Sequence, residues 1–76
     1  MSDLERTYDE TATRASMLEN ASRLLGTAAK LISGVPELSA ARNILLTVNM
    51  DMVLPKWEEL EENASNLWNK MMEERT

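Results

Sequence analysis

The side chains that carry most enzyme chemistry are missing from this chain. It has no Cys and no His, which removes the thiolate nucleophile, the commonest general base and the commonest metal ligand. Carboxylates and hydroxyls remain. Glu58-Glu59 and Glu61-Glu62 are the residue type that performs general acid–base work when a cleft drives two carboxyls apart in acidity. Here they fall on the polar side of a helical repeat, which is the pattern of a solvated surface. Carboxylate bundles that hold two metals use Glu-x-x-His, and that motif needs the missing imidazole. Ser and Thr occur without a His base, so a hydrolytic triad is excluded, and no motif supports a Ser–Lys dyad. Gly26 and Gly34 are isolated and make no phosphate-cradling loop. The chain therefore reads as a non-enzyme, with no metal, no cofactor and no small-molecule substrate expected.

Charge narrows the partners. Eight Lys and Arg face thirteen Asp and Glu, for a net charge of −5. The basic footprint that grips phosphates is missing, so neither nucleic acid nor an anionic membrane surface is an expected partner. An acidic surface admits a minor alternative, mimicry of a nucleic-acid backbone. The opening MSDLERTYDE contains no apolar core of a signal peptide. The longest apolar stretch, within Ile44 to Leu54, is interrupted by Asn49 and Asp51 and is short of the ~20 residues that span a bilayer. These features set a cytoplasmic location as the expectation.

The elements that carry these side chains follow from apolar spacing. The chain of 76 residues has room for one domain with a marginal core. Two Gly and two Pro are too few for the turns of an all-β fold. In the first third, Leu4, Tyr8, Ala15, Leu18, Ala21, Leu25, Ala29 and Ile32 recur at steps of mostly three and four, one stripe of a helix. From residue 17 a second stripe joins it, through Met17, Leu24, Ala28 and Leu31, and widens the apolar face. Ser2 or Asp3 is placed to cap the helix start, with Glu5 near its positive end. Glu10–Arg14 and Glu19–Arg23 stand in the favourable order for ion pairs one turn apart. Ser33-Gly34-Val35-Pro36 is the main punctuation, with Gly34 suited to a left-handed helix end and Pro36 to the next first turn. Leu38, Ala41, Leu45, Val48 and Met52, with Ile44 alongside, form the next stripe. Thr47 to Val53 also alternates like a strand, but no second alternating run exists to pair with it.

Pro55 then interrupts. It removes a backbone donor and disfavours helical angles at Leu54, so the second arm is expected either to kink or to break there. Beyond it Trp57, Leu60, Ala64, Leu67 and Met71 continue the spacing, flanked by Trp68 and Met72. The expected architecture is an all-α single domain over 1–76: a helix over about 3–33, a turn at 34–36, and helices over about 37–53 and 55–74. A hairpin closed at Gly34 sets Leu18 near Met52, Tyr8 near Leu60 and Leu4 near Ala64, with Leu67, Trp68, Met71 and Met72 overhanging. Two helices cannot cover such wide stripes, which predicts a homodimer completing a four-helix-type bundle, or a heteromeric partner helix.

An apolar helical surface on a chain without reactive groups points to action by binding. The expected function is a small interaction module that serves as a stoichiometric regulator or inhibitor of a protein partner. Trp68, Met71, Met72, Leu67 and Met50 are the expected contacts, because aromatic anchors and adaptable Met carry interface energy. The alternative is a chaperone or structural subunit of a larger helical assembly. In size, acidity and helicity the chain resembles small secretion chaperones, a likeness of properties that no motif supports.

Overall fold

The computed structural model describes residues 2–75. Helix α1 spans Asp3–Ile32, a 3-10 turn Pro36–Leu38 follows, and α2 spans Ser39–Val48. A π-helical turn, Asn49–Val53, joins α2 to α3, Leu54–Arg75. The molecule is an antiparallel helical hairpin, a single layer measuring 58 × 18 × 15 Å. Among the described residues there is no strand. The alternating run at Thr47 to Val53 is helical throughout.

Local chemistry sets the ends of α1. The Ser2 side chain accepts the Glu5 backbone N–H at 3.1 Å, satisfying a donor with no partner inside the helix. Asp3 and Glu5 lie in the positively polarised first turn. At the other end Gly34 does not adopt a left-handed conformation. The chain closes instead through tight three-residue hydrogen bonds, Ser33 N–H to Lys30 O at 3.3 Å and Val35 N–H to Ile32 O at 3.1 Å. Ser33 Oγ donates to Lys30 O at 2.7 Å and Ser39 Oγ to Pro36 O at 2.8 Å, so each serine adds a second donor to a carbonyl that already accepts its backbone N–H.

Pro55 neither breaks the arm nor displaces Leu54, which keeps helical angles of φ −62°, ψ −45°. The strain is absorbed one turn earlier. Leu54 N–H bonds to Asn49 O, five residues back, and this wider turn makes room for the proline ring beside the carbonyl of Asp51. The second arm is thus one helical path of Ser39–Arg75 with a single π turn inside it.

Along α1 positions 4, 8, 11, 15, 18, 22, 25, 29 and 32, all partly or fully buried, alternate steps of four and three, the seam of a coiled-coil-like pair. Ala15 and Ala29 are each 2% exposed and let the arms approach closely, while Ala64 and Met71 supply the rest of the buried core. Among the described residues no large side chain is fully buried.

The register differs from the expected one. Tyr8 meets Trp68, with ring centroids 5.6 Å apart, rather than Leu60. Arg75 Nη2 reaches Glu5 Oε1 at 3.6 Å across the open end. Leu18 shares a groove with Leu60, not with Met52. The displacement is about two helical turns. Part of it comes from the bend, which folds about Pro36–Leu38 and not about Gly34, and part from the π turn at Asn49–Val53, which lies between the closed end and the displaced pairs. Nothing overhangs: Met71 is buried, and Leu67 and Met72 are half-buried. Of the expected ion pairs on α1, Glu10–Arg14 and Glu19–Arg23 are not made among the described residues. Arg23 turns to Asn20 Oδ1 at 2.9 Å and Arg6 to Asp3 at 2.7 Å.

Candidate functional site

The hairpin has two broad faces, and they differ in chemistry. On α1 the residues beside the seam recur every seven positions: Thr7, Arg14, Ala21 and Ala28 in one row, Met17, Leu24 and Leu31 in the next. A seven-residue repeat returns to nearly the same side of a helix. Both rows therefore lie on one face of the layer. On the second arm Ala41, Ile44, Val48 and Met52 lie on the side of the seam that an antiparallel partner turns toward the same face. The result is an apolar surface over the closed half of the hairpin. Met17, Leu24, Leu31, Ile44 and Met52 are between 63% and 77% exposed on it.

Toward the open end that face turns polar. A groove of about 250 Å³ lined by Arg14, Met17, Leu18, Lys56 and Leu60 marks the transition. Next comes one of about 370 Å³ lined by Thr7, Thr11, Asn63, Asn66, Leu67 and Lys70. Lys56 Nζ is bonded to Glu59 Oε2 at 3.2 Å.

The opposite face carries the second feature. Tyr8, Glu61, Ala64, Ser65 and Trp68 line an open groove of about 300 Å³. Trp68 is 45% exposed and its ring is tilted 45° against Tyr8, a geometry that favours aromatic pairing. Met50 is exposed, and because two residues cover roughly half a turn even in the wider π turn it lies on the other side of the arm from Met52.

The five residues expected to bind a partner are thus distributed. Trp68 and Met50 are exposed, Met72 and Leu67 are half-buried, and Met71 belongs to the intrachain core. Sequence reasoning placed Tyr8 in the core stripe and missed its role as the platform for Trp68. It also missed two buried polar atoms, Asn49 Oδ1 in the π turn and Trp57 Nε1 just beyond Pro55, neither of which has a hydrogen-bond partner. The spacing placed Trp57 in the apolar stripe, but whether a buried Nε1 or amide oxygen finds a partner depends on packing that spacing does not encode.

Among the described residues, no cluster of carboxylates has the arrangement of a metal site. No described helix is long and apolar enough to cross a membrane. In comparisons with known proteins, the chain matches no family model, no curated protein and no solved structure.

Proposed function

We propose that the chain is a non-catalytic helical interaction module, acting as a stoichiometric regulator or inhibitor of a protein partner. The observation behind this reading is the balance of its apolar side chains. Among the described residues four are buried, whereas nine large hydrophobic side chains stand exposed. Exposed apolar area of that kind marks contact surfaces, and helix faces of this width dock against other helices or into grooves. The groove beside Trp68 is the place for a target, because an aromatic anchor with polar residues around it is the usual centre of binding energy.

The test is crosslinking in the source cell with a photoreactive residue at Ser65, beside Trp68. The expected result is one discrete heterocomplex, lost in Trp68→Ala while circular dichroism stays helical. Crosslinks that are unchanged in Trp68→Ala would remove this face from the proposal. The 58 Å rod also favours a second reading, a subunit of a larger helical assembly. An obligate subunit would be partly unfolded alone and would fold on addition of its partner.

A further inference from the structure

We infer that the apolar face over the closed half of the hairpin is occupied by a second copy of this chain, laid antiparallel. Area is the first argument. A compact monomer of 8.6 kDa exposes about 4,700 Å², whereas this chain exposes 5702 Å². The excess is about 1,000 Å² per chain, and two chains covering it from each other would bury about 2,000 Å², the area at which obligate homodimer interfaces begin.

Symmetry is the second argument. Met17 and Leu31 lie seven residues to either side of Leu24, and Ile44 and Met52 lie four to either side of Val48. A twofold axis passing by Leu24 and Val48, in the plane between two stacked hairpins, therefore sets Met17 against the partner's Leu31 and Ile44 against the partner's Met52. Leu24 and Val48 then meet their own copies. Ala21 and Ala28 leave the space between these larger side chains, the alternation that interdigitating helices need.

Charge selects this direction. Arg14 and Lys56 border the apolar face at its open-end edge. Hairpins stacked with their closed ends together would bring both cations onto the partner's Arg14 and Lys56. The antiparallel arrangement carries them to the partner's closed end, away from its Arg14 and Lys56.

This self-association and target binding at Trp68 involve opposite faces, so either stands if the other fails. Because the chain has no native Cys, single introduced thiols report the arrangement directly. The full-length Leu24→Cys variant, oxidised at micromolar concentration, should form a covalent dimer that retains its helical spectrum. Leu31→Cys alone should crosslink at least tenfold more slowly, and a mixture of Leu31→Cys with Met17→Cys should form the heterodimer readily. Leu24→Glu should lower the mass in light scattering from twice the chain mass to one, while Trp68→Ala should not. A monomeric wild type overturns the proposal, as does a Leu31→Cys homodimer that forms as fast as the Leu24→Cys one.

Discussion

Ala15 and Ala29 hold the two helices together by being small. Each is 2% exposed at a seam position between the arms, although Ala29 also borders an open groove of about 260 Å³. Ala15→Leu is expected to lower stability by about 1–3 kcal/mol through overpacking, read as a drop in the urea midpoint. An unchanged midpoint would show that the seam opens there without cost. The opposite outcome is expected at Asn49, whose Oδ1 is buried without a partner. Such an atom forfeits about 1–3 kcal/mol of hydration, so Asn49→Leu should raise the melting temperature. A fall would show that the amide is satisfied in solution.

At the scale of elements, the turn and the proline decide the geometry. Neither glycine has a left-handed φ, and a Cβ at Gly26 or Gly34 would meet nothing within 4 Å. Gly26→Ala, inside α1, should therefore stabilise by about 1 kcal/mol. Gly34→Ala should stabilise by about 0.4–1 kcal/mol, where a left-handed glycine would make the same change destabilising. Thermal melts of the two variants separate these cases. The helices themselves were legible, because Leu4 to Ile32 and Trp57 to Met71 repeat at three-four spacing with little competing signal. The register was not legible, because Ser33 to Leu38 allows a bend at Gly34 or at Pro36. Moving the bend by two residues moves the pairing by about four, or one turn, and the π turn before Trp57 adds to the shift toward the open end, which is why Trp68 was expected to overhang rather than to rest on Tyr8. The response to Pro55 was hidden for a similar reason. A proline announces a lost hydrogen bond, but whether the helix ends, kinks or widens into a π turn depends on the packing of Val53 and Trp57, both half-buried on either side of it.

The whole molecule is a rod one helix layer thick, with a core, among the described residues, of three alanines and one methionine. Such a layer leaves half of each wide apolar stripe facing outward, and domains of this size are marginal even when compact. The central claim is that a second chain supplies the missing half. The measurement that tests it most directly is the concentration dependence of the melting temperature of the unmodified chain, followed by circular dichroism from about 1 to about 100 µM. The dimer account predicts a midpoint that rises steadily across that range, because mass action links folding to association. A sharp, reversible transition at one temperature throughout, with a solution mass of 8.6 kDa, would contradict it.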